Sequence, residues 1–322
     1  MPAFSSYALL VVGFVLLLRG AEELVEGSTS LASRLGVSRL IIGLTVVAFG
    51  TSAPELAVNA VAALNGETDL AMGNVIGSNL ANLLLILGVV ALVSPPKLTS
   101  GTVWREIPFS FVAVVVLGIT ANSFMGGIGP SPVSRGDGLI LLVFFGWFLF
   151  YVFGRVKAER SQIAQDEPRK RTSVAWGVVR LVLGLVGLYF GGQWIVQGAT
   201  TIARSLGISD YVIASSVIAV GTSLPELAAS VVAARKGEPD LAVGNVVGSN
   251  IFNIFWILGV TAVIAPIAVT AAVNADLLIL GAGTALLFAF MFAGRRHELD
   301  RWQGGLLVAL YAAYIANLIL RG

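Results

Sequence analysis

With 322 residues, 57% of them hydrophobic and 12% charged, the chain is far less charged than a soluble domain, which is about one-quarter charged. It therefore reads as an integral membrane protein. The absence of cysteine excludes disulfides, thiolate metal sites and thiol catalysis, and the net charge of +2 sits in loops, so it does not indicate nucleic acid. Apolar segments of about 18–25 residues match helices crossing a ~30 Å hydrocarbon core rather than barrel strands. The first of them has no Lys or Arg before Arg19 and no small-residue cleavage site, so it is expected to be a retained helix.

Ten spans are predicted, at 6–26, 38–64, 70–93, 106–122, 137–156, 174–200, 209–234, 241–265, 276–293 and 303–320. With the N-terminus outside, fifteen basic residues fall in inner segments against three (Arg135, Arg204, Arg321) in outer ones. By the positive-inside rule both termini are expected outside a cell (inner) membrane. The hydrophilic stretch Arg155–Thr172, with Asp166, Glu167, Arg169, Lys170 and Arg171, reads as a cytoplasmic linker. The expected organisation is a first five-helix repeat over 1–154, a linker over 155–173 and a second five-helix repeat over 174–322.

The two halves carry the same motifs. Adding 171 to a residue number maps Gly50-Thr51-Ser52-Ala53-Pro54-Glu55 onto Gly221-Thr222-Ser223-Leu224-Pro225-Glu226, and 70–79 onto 241–250, without a gap from Ala48/Ala219 to Gly88/Gly259. Asn82 meets Asn253 in the same register. Because each half has an odd number of spans, the halves enter the membrane from opposite sides. The expected fold is thus all-α, ten transmembrane helices as two inverted repeats, with the substrate site near the midplane where the repeats meet.

Glu55 and Glu226 lie in the middle of apolar segments, where a charged side chain costs roughly 2.5–3.5 kcal/mol on insertion scales. Pro54 and Pro225 each remove a helix N–H and displace the carbonyl one turn earlier, and freed carbonyls in hydrocarbon are tolerated only in buried or wet cavities. Thr51, Ser52 and Glu55 share one helix face, as do Ser78 and Asn82. The seams Gly73-x-x-x-Gly77 and Gly244-x-x-x-Gly248 let backbones approach closely. An all-oxygen environment suits hard cations. Two carboxylates neutralise one divalent ion, and Ca²⁺ and Na⁺ both accept flexible oxygen cages, whereas Mg²⁺ demands tighter geometry. H⁺ is the rival coupling ion, because a buried Glu can be protonated.

These paired motifs, about 43–88 and 214–259, resemble the two alpha repeats of the cation/calcium exchanger (CaCA) superfamily, in particular prokaryotic sodium/calcium exchangers. The resemblance implies Ca²⁺ held by Glu55 and Glu226 with carbonyls near Thr51 and Thr222. It implies Na⁺ held in the same region with Ser52, Ser223, Ser78, Ser249 and carbonyls near Ala48 and Ala219; Asn82 and Asn253 complete the candidate set. It further implies antiport by alternating access, with three Na⁺ commonly exchanged for one Ca²⁺ and the first and sixth helices sliding past the rest. Ca²⁺ and Na⁺ are then substrates, with no cofactor and no protein partner expected beyond the bilayer, and a monomer expected to function. Some members carry an aspartate where this chain has Asn253, which keeps a calcium/proton antiporter as the alternative.

Other residues have plainer readings. Asn74, Asn79, Asn245 and Asn250 are expected to be structural, and Asp69 and Asp240 to cap the third and eighth spans. Arg19 is expected to pair with Glu22 or Glu23 at an interfacial helix end, and His297 to lie in an inner loop. A passive channel would use the same oxygens, but inverted repeats favour alternating access. An enzyme would need a Ser–His pair, a His-Glu-x-x-His motif or an aspartate pair, and none is present.

Overall fold

The computed structural model describes residues 3–122, 131–163, 173–206 and 221–321. Among these the chain is helical, with only two isolated β-bridges, Lys97–Glu298 and Val133–Ile267. In chain order the helices are α1 (Ala3–Leu35), α2 (Arg39–Thr51), α3 (Ala53–Asn65), α4 (Leu70–Val93), α5 (Thr102–Ala121), α6 (Arg135–Ile163), α7 (Val174–Ser205), α8 (Leu224–Arg235), α9 (Pro239–Ile264), α10 (Ala271–Phe290) and α11 (Arg301–Arg321). Seven of them are long and apolar enough to cross a membrane alone, and α2 with α3, bent by 44°, makes an eighth. Outside that count stand α1, whose second half carries Arg19, Glu22, Glu23 and Glu26, and α8. The start of the span expected at 209–234 lies outside the described residues. Helix α6 continues to Ile163, so the first part of the expected linker is helical, and most of the remainder lies outside the described residues.

The repeat register extends to the first helix of each half. Gly13, Gly20 and Gly27 recur every seven residues on α1, and Gly184, Gly191 and Gly198, their counterparts at +171, do so on α7. The helices run antiparallel, as repeat mates must if the halves are inverted. Gly13 faces Gly191, Gly20 faces Gly184 and Leu188, and Gly27 faces Gly177 and Leu181. A Cβ at Gly20 would stand 2.6 Å from the Leu188 nitrogen, and one at Gly27 2.6 Å from that of Leu181. The two backbones therefore touch. In lipid, where apolar side chains gain nothing by leaving the solvent, such close contact is what binds helices together.

Helices α2 and α9 meet in the same way, Gly43 against Leu241 and Gly244 against Leu40. The predicted seam at Gly244 and Gly248 thus packs on the first broken span. The counterpart partner of Gly73 and Gly77 would be 211–219, outside the described residues.

Arg19 does pair with Glu22, at 3.0 Å on an exposed face. Glu23 and Glu26 instead point at α7 and α8: Arg180 contacts Glu23 at 2.6 Å and also Glu26, and Lys236 reaches Glu26 at 2.5 Å. Sequence spacing within one helix could not reveal these partners. Asp240 is not a cap. Glu238 holds the N-cap position of α9 and Asp240 lies in the first turn, where a carboxylate is favoured by the helix dipole. Glu67 takes the same position before Thr68. His297 lies between α10 and α11 in a left-handed turn (φ 60°), its carbonyl accepting from the Leu98 N–H at 2.7 Å.

Gly20→Val should lower the melting temperature, since overpacking a tight contact costs about 1–3 kcal/mol. Gly146→Ala, where nothing lies within 4 Å of the added carbon, should not. Thermal unfolding of the detergent-solubilised protein, followed by size-exclusion fluorescence, separates the two.

Candidate cation site

Each half breaks a helix just before its acid. Ser52 (φ −85°, ψ 4°) and Ser223 (φ −90°, ψ 5°) leave helical geometry, and Pro54 and Pro225 follow in the first turns of α3 and α8. Glu55 and Glu226 stand in the same turns, at the N-terminal ends of α3 and α8. Both are 1% exposed. They lie within range of each other's charge, and neither forms an ion pair with a described residue.

Helices α4 and α9 are tied to each other through asparagines. The Asn79 amide donates to the Asn250 carbonyl at 3.3 Å, and the Asn250 amide to the Asn79 carbonyl at 3.4 Å. The Asn82 amide donates to Asn250 Oδ1 at 3.0 Å, and the Asn253 amide to Asn79 Oδ1 at 3.0 Å. Each bond is the image of another at +171, so a pseudo-two-fold axis runs through this clasp. Asn74 and Asn245 reach back to the acid-bearing helices, to Asn59 at 3.1 Å and Ser230 at 3.0 Å. These two partners escaped the motif reading, although each lies one turn after its acid in the same register.

The stretches 81–86 and 252–258, which carry Asn82 and Asn253 of the clasp, widen into π-turns. A π-turn shifts the backbone hydrogen bonds by one residue, and such bulges are frequent at functional sites.

With the amide nitrogens committed, the clasp leaves oxygens over. Buried and without a protein hydrogen-bond partner are both oxygens of Glu55, Oε2 of Glu226, the hydroxyls of Ser78, Thr222, Ser223 and Ser249, and Oδ1 of Asn82 and Asn253. Ser78 lies beside Glu55. The first motif is more engaged: the Ser52 hydroxyl donates to Glu226 Oε1 at 3.3 Å, and Thr51 donates to Asn245 Oδ1 at 3.1 Å. The Ala48 carbonyl accepts from the Ser52 N–H at 3.0 Å and from the Thr51 hydroxyl at 3.4 Å. Ala219 lies outside the described residues. The structure thus gathers Glu55, Glu226, Thr51, Ser52, Ser78, Asn82, Thr222, Ser223, Ser249, Asn253 and Ala48 around the breaks and the clasp between them.

Glu106 shows what a buried acid looks like when its role is structural. It too is 1% exposed, but Tyr151 donates to it at 2.5 Å and Arg155 approaches at 3.5 Å, joining α5 to α6.

Two uncompensated carboxylates among neutral oxygens, held where two inverted halves meet, form an environment of the kind hard cations favour and membrane carriers place at the repeat interface. The chain matches the sodium/calcium exchanger protein family over residues 5–154 and 176–320, and it belongs to that family. It is 36% identical to the inner membrane protein YrbG of Escherichia coli, over 97% of this chain and 96% of that protein. It is 32% identical to the sodium/calcium exchanger MaX1 of Methanosarcina acetivorans, over 97% and 98%. A solved structure of the sodium-calcium exchanger NCX_Mj superposes with a TM-score of 0.83 at 33% identity, covering 98% of this chain and 99% of that one.

The hydrogen-bond pattern separates scaffold from site. Asn250→Ala removes a donor and an acceptor from the clasp and should cost about 1–3 kcal/mol, the penalty of leaving buried groups unpaired. Ser249→Ala removes a buried hydroxyl with no partner and should leave stability in ion-free buffer unchanged or raised. Equal destabilisation of the two variants in thermal melts would contradict this division.

Proposed function

We propose that the protein is a secondary antiporter that exchanges Na⁺ for Ca²⁺ by alternating access, and not an enzyme. The observation that carries this reading is the set of buried, unpartnered oxygens around two carboxylates that have no cationic side chain paired with them among the described residues. Desolvating an ionised carboxylate without a partner is among the costliest changes a protein interior can undergo. A Ca²⁺ ion, which takes six to eight oxygens at about 2.3–2.6 Å, supplies the missing charge. Glu55 and Glu226 bind it as the anionic ligands, with carbonyls near Thr51 and Thr222. Na⁺ ions occupy overlapping positions using Ser52, Ser223, Ser78, Ser249, Asn82, Asn253 and carbonyls near Ala48 and Ala219.

Since both loads need the same carboxylates, Ca²⁺ and Na⁺ compete, and each drives the other's release. In the proposed orientation both termini face outside, the 155–173 linker is cytoplasmic, and Na⁺ entering the cell expels Ca²⁺ through the inner membrane. Three Na⁺ per Ca²⁺ would move one net charge, worth about 2.3 kcal/mol per 100 mV. One chain contains both halves of the site, so the monomer is the functional unit.

Radiocalcium uptake into proteoliposomes loaded with Na⁺ or with choline, with and without a pH gradient, tests the proposal. Uptake should require internal Na⁺ and survive collapse of the pH gradient. Uptake driven by the pH gradient alone would make the protein a calcium/proton antiporter. Glu55→Gln and Glu226→Gln should each abolish Na⁺-dependent uptake, at least 100-fold if a charge-assisted contact worth about 3 kcal/mol is lost, with the melting temperature retained. Normal flux in either variant would remove the carboxylates from the mechanism.

A further inference from the structure

Inverted repeats impose a condition on any alternating carrier. If the halves were identical, the inward- and outward-open states would be images of each other and equal in energy. Any preference must come from residues that break the repeat. The ion-pair network at one end of α1 does so. Glu23 and Glu26 on α1, Arg180 on α7 and Lys236 after α8 have as counterparts Trp194, Gln197, Leu9 and Asn65, none of them charged. The network therefore has no image at the opposite end of the bundle.

Its members fall on both sides of a mechanical division. Glycine contacts bind α1 and α7 backbone to backbone, so Glu23, Glu26 and Arg180 belong to one two-helix unit. Its contacts with the segments leading into the breaks run through side chains instead, Leu185 against Gly50 and Val196 against Gly221. A groove of about 940 Å³, lined mostly by apolar groups such as Leu185 and Tyr189 of α7, Phe49 of α2 and Pro54 of α3, runs along this contact and opens to the surface, with Phe49 51% and Tyr189 44% exposed. Side-chain contacts can slide where touching backbones are locked, so this is the side on which the unit can shift. Lys236 crosses the division to Glu26 at 2.5 Å. It is presented from a turn that is itself anchored, because Glu238 two residues on pairs with Arg39 at the start of α2, at 2.7 Å.

We propose that the Glu26–Lys236 pair, with Arg180, is a one-sided ionic latch that holds the α1–α7 unit to the α8–α9 turn and biases the carrier toward the latched state. The inference rests on the alternating-access reading above. Both partners are partly exposed, with side chains 41% and 32% accessible. The bias is therefore modest, roughly a two- to fivefold shift in population, in keeping with measured pairs of this kind, and weakened by salt.

The absence of native cysteine allows clean labelling. Spin labels on cysteines introduced at the exposed positions Ser33 and Arg235 would report the distance across the latch in reconstituted protein, with Na⁺ or Ca²⁺ present. Two distance populations are expected. Lys236→Gln should shift weight to the longer by two- to fivefold, and Lys236→Arg should restore the original ratio. An unchanged distribution in Lys236→Gln would overturn the latch. A second test takes the double variant Glu26→Cys with Lys236→Cys and joins its two thiols by a short reducible bifunctional reagent. Exchange should stop and resume on reduction, whereas undiminished exchange while cross-linked would equally refute the proposal. Because the distance measurement needs no transport, it still decides the question should the wild type carry a different ion pair.

Discussion

A carboxylate in the middle of a membrane bundle must be given positive charge or be neutralised, and the rest of this structure is arranged around that requirement. Three described acids are almost fully buried, Glu55, Glu106 and Glu226. Glu106 meets the requirement within the protein, through Arg155 and Tyr151. Glu55 and Glu226 have no cationic partner, yet stand at the N-terminal ends of α3 and α8, where the helix dipoles favour negative charge. The protein thus supports these charges without cancelling them. An ion arriving from water can complete what a fixed arginine would have closed permanently.

That arrangement needs rigidity on one side and freedom on the other. The asparagine clasp supplies the first. Four amide hydrogen bonds, two of them side chain to backbone and two side chain to side chain, fix the relative position of α4 and α9. They also commit the amide nitrogens, so the remaining oxygens of Asn82 and Asn253 are available. The second comes from the serine breaks and from the α1–α7 unit, whose two backbones touch each other while its contacts with Gly50 and Gly221 run through side chains. The two-fold relation is strict in the clasp and incomplete at the breaks. Ser52 bonds to Glu226 and Thr51 to Asn245, while the hydroxyls of Ser223 and Thr222 have no partner. Symmetry-related groups in unequal states are what a carrier open to one side at a time requires.

Much of this was legible in the sequence because duplication turns chance residues into a pattern. Glu55 with Glu226, Ser78 with Ser249 and Asn82 with Asn253 stand out because each appears twice at +171, in segments too apolar to hold them idly. The same register contained Asn59 with Ser230, but a residue pair of unlike type carries a weaker signal. The glycine heptads at 13, 20 and 27 and at 184, 191 and 198 were equally periodic. Their meaning depends on two distant helices meeting, which local spacing does not encode. Contacts between unrelated positions left no trace at all: nothing in the sequence ties Glu26 to Lys236 or Glu106 to Arg155. The cap expected at Asp240 failed for a local reason, since Pro239 at the first helical position moves the N-cap to Glu238 and leaves Asp240 inside.

The clasp also accounts for the amide at position 253. Asn253 donates to Asn79 Oδ1 at 3.0 Å, as Asn82 donates to Asn250 Oδ1. An ionised aspartate there has no proton to give and would set a negative oxygen against a carbonyl oxygen. An amide at both positions keeps the clasp neutral and its two halves equivalent. In the proposed site the fixed charge then comes from Glu55 and Glu226 alone. One Ca²⁺ balances two carboxylates, and two Na⁺ do the same, so a third Na⁺ would add a charge that nothing in the clasp can absorb. In such a site the neutral hydroxyls and carbonyls at the helix breaks, rather than a third acid, would have to stabilise that ion, and it would be the most weakly held of the three.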